Sequence, residues 1–221
     1  GRIYLMRGLA EGRLKETEVL EEEAFLCLGC RACETACPSG VQYGEMLEQT
    51  RAAVRSAQTG FNLATSIERF ALRQIVPKPV RLKFLVRLLA VVQRLRLDRL
   101  AAALLPQRLA DMANLLPTIP PAEERKRMPE FTAALGERKG CVALFEGCVM
   151  PEFFGRVNNA ARLVLSRAGY DVVVPQGQGC CGALQAHSGD LAFAHELARS
   201  NALAFDDKPQ GTVAPGLGKV D

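Results

Sequence analysis

Tryptophan is absent from this sequence, tyrosine occurs three times and histidine twice. So few flat rings argue against a protein that reads single-stranded nucleic acid by base stacking. No run of about 18 uncharged apolar residues occurs, so nothing in it reads as a transmembrane helix. The first residues have no basic start followed by an apolar core and a cleavage site, and no secretion signal is read there. No G-x-G-x-x-G loop is present, nor an acid and base placed to abstract a substrate proton, so neither dinucleotide binding nor that proton chemistry is expected of this chain. What is present is globular in character: 221 residues, 48% hydrophobic and 24% charged, enough for a buried core and for one domain or two.

Against two histidines stand eight cysteines, grouped in motifs, which points to a reducing compartment and to metal ligation. From Cys27 to Pro38 the chain reads C-L-G-C-R-A-C-E-T-A-C-P. Cys27, Cys30, Cys33 and Cys37 have the C-x2-C-x2-C-x3-C-P spacing that ligates a 4Fe-4S cubane. Thiols this close together converge only around a common object. A structural zinc site usually joins two short cysteine pairs across a longer loop, and these intervals are too even and too short for that. A disulfide framework fits less well again, because a chain of this length does not need stapling. In bacterial two-cluster proteins the fourth cysteine of such a run ligates the other cluster. No cysteine precedes Cys27. The spacing therefore leaves two arrangements open, one cluster held by all four thiols or a chain whose first motif lies elsewhere.

The rest of the chain divides by composition into three expected parts: an iron-sulfur domain over 1–60, a basic helical segment and proline-rich linker over 61–134, and a cysteine-rich module over 135–221. Helices are expected over Ile3 to Leu14, interrupted by Gly8 and Gly12, over Lys15 to Leu26 and over Val41 to Arg55. Val19, Leu20, Ala24 and Phe25 form the apolar side of the second, and Glu16, Glu18 and Glu21 to Glu23 its solvated side. After a break at Gln58 to Thr65, a helix over Ser66 to Ile75 places Ile67, Phe70, Ala71 and Ile75 on one face, and Pro77 and Pro79 end it.

Between Arg69 and Arg108 ten basic residues face the single acid Asp98. From Val80 to Leu105, Leu82, Leu85, Val86, Leu89 and Val92 make one helical stripe, with Arg81, Arg87 and Arg94 mostly off it. Such a helix packs on its domain with a basic solvated side, or docks on an anionic membrane surface or an acidic partner. No aromatics interleave the arginines, so nucleic acid is not expected as a partner.

Beyond the linker, Lys139 to Phe145 and Asp171 to Val174 read as buried strands, Asn158 to Ala168 and Asp190 to Phe205 as helices. Ala161, Val164, Leu165 and Ala168 are expected to face inward. The alternation predicts an α/β module with a parallel sheet. Cys148 and the Cys180-Cys181 pair would follow the carboxyl ends of its strands, where open α/β sheets place ligands. Gly147, Gly179 and Gly182 would allow close backbone approach there, and a second metal or redox site is expected. Cys141 starts a strand and is read as a packing residue. His187 is read as touching that site or as a helix-surface residue, and His195 as ordinary.

These motifs resemble those of glycolate oxidase iron-sulfur subunits, and more broadly the cysteine-rich redox subunits that include lactate-utilisation and heterodisulfide reductase proteins. The resemblance rests on Gly1-Arg2-Ile3 with Leu5-Met6, on Cys27 through Val41, on Gly147-Cys148-Val149 and on Gly179-Cys180-Cys181-Gly182-Ala183. It implies a mainly helical ferredoxin-like domain with two 4Fe-4S clusters, Cys27, Cys30 and Cys33 serving one and Cys37 the other. Cys148, Cys180 and Cys181 would belong to the C-C-G module as a further cysteine-bound centre. Electrons would come from FAD on a partner hydroxy-acid oxidase subunit and leave toward a membrane or quinone-linked acceptor. The implied location is cytoplasmic, peripheral on the inner face of the membrane. Relatives carry an earlier cluster motif and a closing C-x-x-C pair, so the chain is expected to be an internal portion of a longer subunit and to bind clusters poorly unless upstream residues are restored. Two other roles stay open: a thiol-disulfide redox enzyme acting at Cys148, Cys180 and Cys181, and an interaction subunit whose cluster is redox-silent.

Overall fold

The computed structural model describes residues 1–15, 18–58, 60, 62–97, 110–111 and 116–206. Gly1–Arg73 with Gly182–Ala198 form one compact unit, and Gln74–Cys181 with the described part of Arg199–Asp221 form another. Glu16, Thr59, residues 98–105 of the expected basic helix with Asp98, Arg99 and Leu105, then Pro106 and Arg108, and residues 207–221 lie outside the described residues.

The first unit is helical. It contains α1 (Arg2–Ala10), α2 (Glu18–Phe25), α3 (Ala32–Thr35), α4 (Tyr43–Ala57) and α5 (Leu63–Gln74, its last residue in the other unit). The helix α4 is its axis, packed by α1, α2 and α3. Its buried positions Leu47, Thr50, Arg51 and Val54 follow the 3.6-residue period. Thr50 is tolerated there because its hydroxyl donates to the Met46 carbonyl at 2.7 Å. Met6, Ala24 and Leu47 form the core, and Phe25, Cys27, Tyr43 and Met46 pack against it. Gly8 does not interrupt α1 but sits within it, under the Leu14 side chain. In α2 Leu20 and Ala24 are buried as expected, whereas Val19 is exposed.

The helix α5 starts earlier than its sequence suggests, because Asn62 caps it: the Asn62 Oδ1 accepts from the Ala64 and Thr65 amides at 3.0 and 3.3 Å. Ile67 and Phe70, on the apolar face that the spacing picks out, are exposed.

The second unit begins with α6 (Pro79–Arg94), which has proline in its first turn, where a missing amide costs nothing. Leu82 and Val86 of the expected stripe are buried, but Leu85 is not. The far end of α6 is tied by Gln93, whose side chain donates to the Pro117 carbonyl and accepts from the Ile119 amide.

Three strands follow in the order β1-β3-β2: β1 (Phe131–Thr132), β2 (Gly140–Ala143) and β3 (Tyr170–Val173). β2 and β3 are parallel, with Val142 opposite Val172. The crossover between them contains α7 (Met150–Phe153) and α8 (Gly155–Arg167), and α8 packs on β3. The sheet is mixed rather than parallel throughout, since β1 pairs antiparallel to β3. Two residues are too short to show a period, so β1 leaves no trace in the sequence.

The inward side of α8 also differs from expectation. Val164 and Ala168 are exposed, and Asn158 and Ser166 are buried. Both buried groups hold backbone of adjoining loops: the Ser166 hydroxyl donates to the Ala133 carbonyl at 2.7 Å, and the Asn158 amide to the Glu146 carbonyl at 3.2 Å. After β3 come α9 (Ala183–His187), in the first unit, and α10 (Leu191–Asp206), whose residues through Ala198 belong there as well.

Candidate metal centres

The cysteine loop leaves α2, turns through α3 and delivers the chain to α4. Arg51 of α4 holds its entrance. The guanidinium is almost wholly buried and donates to the Ala24 carbonyl at 3.1 and 2.9 Å, to the Cys27 carbonyl, and to the His187 carbonyl at 2.9 Å. It also lies 5.1 Å above the centre of the Phe25 ring. Burial lowers its affinity for the proton, an effect opposed by the Cys27 sulfur, and an arginine with three carbonyl partners keeps its charge.

Within the loop the Gly29 amide donates to Cys27 Sγ at 3.4 Å. That turn requires φ of +69° at Gly29, and a Cβ there would stand 3.6 Å from the His187 ring. The Tyr43 hydroxyl hydrogen-bonds the same sulfur, and its own pKa is raised, by burial first and then by Cys27. At the other end the amides of Val41, Ser39 and Gly40 point at Cys37 and hold its thiol below the usual range, Val41 contributing most. Arg31 pairs with Glu34, and the Glu34 carboxylate accepts from the Gly44 amide at 2.5 Å, so that the loop is anchored to the start of α4. Cys27 and Cys37 are half-buried, Cys30 and Cys33 exposed.

In the second unit the loops after β2 and β3 carry the remaining thiols. Gln178 joins them: its Oε1 accepts from the Glu146 amide at 2.6 Å, while its Nε2 donates to the Leu144 and Pro175 carbonyls at 3.2 and 3.0 Å. Asn201 of α10 holds the turn at the cysteine pair, accepting from the Gly179 amide at 2.8 Å and donating to the Cys180 carbonyl at 2.7 Å. These clasps bring Cys148 and Cys180 into thiol contact. The Cys180 thiol and burial push Cys148 far above the usual thiol range. Cys181 is exposed, while Cys180 is buried. Cys141 lies half-buried in β2, its thiol raised by burial.

His187 ends α9 and lies against Gly29 of the cysteine loop. Its Nδ1 stands 3.5 Å from Glu48 Oε1, an ion-pair distance without hydrogen-bond geometry. His195 is exposed on α10. Arg51, Tyr43, Gln178 and Asn201 were not legible as site residues. Arg51 and Asn201 sit in helices with no motif around them, while Tyr43 and Gln178 stand beside the two cysteine motifs but carry no sequence mark of the contacts they make.

Among the described residues no three Cys, His, Asp or Glu side chains stand together as a metal-holding group. The fit to an iron-sulfur cluster is carried by donor chemistry: four thiols on one loop, with amide protons directed at Cys27 and Cys37, the environment that stabilises anionic sulfur.

Three family models match successive parts of the chain. They are a 4Fe-4S dicluster domain over residues 2–42, the linker region of the glycolate oxidase iron-sulfur subunit over 64–116, and a cysteine-rich domain over 142–215. The chain is 37% identical over 211 residues to the probable glycolate oxidase iron-sulfur subunit of Bacillus subtilis, covering 93% of this chain and 48% of that protein. It is 34% identical over 205 residues to the glycolate oxidase iron-sulfur subunit of Escherichia coli, covering 93% and 45%. A shorter match, 31% over 77 residues, covers 34% of this chain and 16% of a fumarate reductase (CoM/CoB) protein of Methanothermobacter marburgensis. The chain thus spans about half the length of the two glycolate oxidase relatives. No solved structure matches it.

Proposed function

This chain belongs to the family of glycolate oxidase iron-sulfur subunits, and on that premise we propose that it relays electrons from the flavin of a partner 2-hydroxy-acid oxidase subunit, with glycolate as substrate, toward a membrane or quinone-linked acceptor. The observation that carries the reading is the Cys27–Cys37 loop, whose sulfurs receive amide protons from Gly29 and from Ser39, Gly40 and Val41. A bound 4Fe-4S cluster accepts and gives up single electrons.

Cys27, Cys30 and Cys33 would hold one cluster and Cys37 would contribute to another. The N–H···S bonds offset the negative charge that gathers on the sulfurs, which raises the potential at which an electron is accepted. The Arg51 charge beside the Cys27 carbonyl acts in the same direction. Oxidation of the hydroxy acid itself belongs to the partner, because a flavin carries that hydride chemistry.

The module holding Cys148, Cys180 and Cys181 would bind a further centre near the point where electrons leave. A thiol-disulfide activity at these residues is the second reading, favoured by the contact between Cys148 and Cys180. Thiolate is the attacking species in that chemistry, and Cys148 is held in the opposite state by Cys180 and by burial. Ligation needs the thiolate as well, but a coordinating metal ion deprotonates its thiol outright where a disulfide substrate does not, so the ligand role suits Cys148 better.

The test is spectroscopic. Anaerobically reconstituted protein is mixed with the flavoprotein, and glycolate is added. The visible cluster absorbance should bleach only when both are present. Bleaching by glycolate without the flavoprotein, or none with it, would contradict the relay.

A further inference from the structure

We propose that the outward face of α6 docks the protein on an anionic lipid surface. This helix is apolar on two opposite sides. Leu82 and Val86 face inward, whereas Val80, Phe84, Leu88, Val91 and Leu95, at or just beyond its end, are between 52% and 79% exposed. At about 100° per residue those five positions fall within an arc of roughly 80°, turned away from Leu82 and Val86. A contiguous apolar stripe of this kind is unusual on a surface that stays in water.

Charge selects the occupant. Residues 74–97 contain no aspartate or glutamate and six cations, Lys78, Arg81, Lys83, Arg87, Arg94 and Arg96. On the helical wheel Lys83, Arg87 and Arg94 border one edge of the stripe and Arg81 the other. Cations at both edges of an apolar face place their heads at the level of lipid phosphates while the face enters the acyl boundary. The helix has 16 residues, short of the ~20 needed to span a bilayer, and among the described residues no helix is long and apolar enough to cross one. It is suited to lie in the interface.

The proposal rests on the membrane-linked acceptor of the preceding reading for its purpose, and names the surface by which that membrane is met. Its test reads binding without electron transfer. The reconstituted protein is floated with vesicles of phosphatidylcholine alone or with about 30% phosphatidylglycerol or phosphatidylserine, amounts that give a negative surface potential. Flotation is expected with the anionic vesicles, weakened by salt and by neutral lipid. Phe84→Asp with Leu88→Asp should lower partitioning by roughly tenfold or more, and Arg87→Gln with Arg94→Gln should remove the preference for anionic lipid. Both pairs alter exposed positions, and unchanged thermal unfolding verifies that each variant is folded.

Equal flotation on neutral and anionic vesicles, or no effect of either pair, would overturn the proposal. So would a dimer dissociated by Phe84→Asp with Leu88→Asp, which assigns the face to a second copy, or binding of the flavoprotein lost in that variant, which assigns it to a protein partner. Failed flotation with glycolate-dependent bleaching intact removes the docking face alone. Flotation with bleaching absent removes the relay alone.

Discussion

Arg51 is the side chain from which the cysteine loop hangs. One planar guanidinium spans the carbonyls of Ala24, Cys27 and His187, a geometry that a single ammonium on a flexible stem does not reproduce. Removing it leaves buried acceptors short of donors, at a cost of about 1–3 kcal/mol for each one fully stranded. Arg51→Ala should therefore destabilise the protein by about 3 kcal/mol, and Arg51→Lys should recover less than half of that. Urea unfolding followed by circular dichroism measures both; a loss of less than about 1 kcal/mol for Arg51→Ala would mean that the loop is held by other contacts. The sequence gives no sign of this role. Arg51 and Arg55 stand in the same helix four residues apart, and only tertiary contacts distinguish the buried clamp from a half-buried neighbour. The thiols are different, because ligand spacing along one loop is itself the signal.

Elements were legible wherever a period ran long enough. The helix expected over Val41 to Arg55 corresponds to α4, and the strand–helix–strand order found the parallel pair β2 and β3. The pattern failed where polar groups point inward for the sake of loop carbonyls, as Asn158 and Ser166 do in α8. It failed again for α6, where leucines and valines cover both sides of the helix and composition alone does not say which side is buried.

The two glycines flanking the Cys180-Cys181 pair make a test at this scale. Gly182 has φ of +84° and would put a Cβ 2.9 Å from the Ala194 carbonyl oxygen and 3.1 Å from its Cα, whereas Gly179 has open space around it. Gly182→Ala should cost roughly 1–3 kcal/mol, from backbone strain and from parting α9 and α10. Gly179→Ala should stay within about 0.5 kcal/mol. Thermal unfolding of the pair checks this, and equal effects would show that the turn does not depend on close approach at Gly182.

For the whole molecule, the cysteine motifs and the basic segment were the most legible features. Cysteine loop, basic segment and C-C-G module occur in the sequence where the dicluster, linker and cysteine-rich family models match. The antiparallel β1, the clasps of Gln178 and Asn201, and the contact of His187 with Gly29 were not legible, because each depends on residues distant in sequence meeting in space.

The relay requires that the loop at residue 30 grip iron and sulfide. Iron and acid-labile sulfide are counted after anaerobic reconstitution of this chain joined to the upstream cluster motif that the resemblance implies, and of the same protein carrying Cys27→Ser, Cys30→Ser and Cys33→Ser, with electron paramagnetic resonance of each after reduction. Iron and sulfide are expected in equal amounts, with a paramagnetic signal in the reduced protein and the loss of a whole cluster, roughly four of each atom, in the variant. Iron content unchanged by the three substitutions, or zinc bound with no sulfide, would contradict the relay.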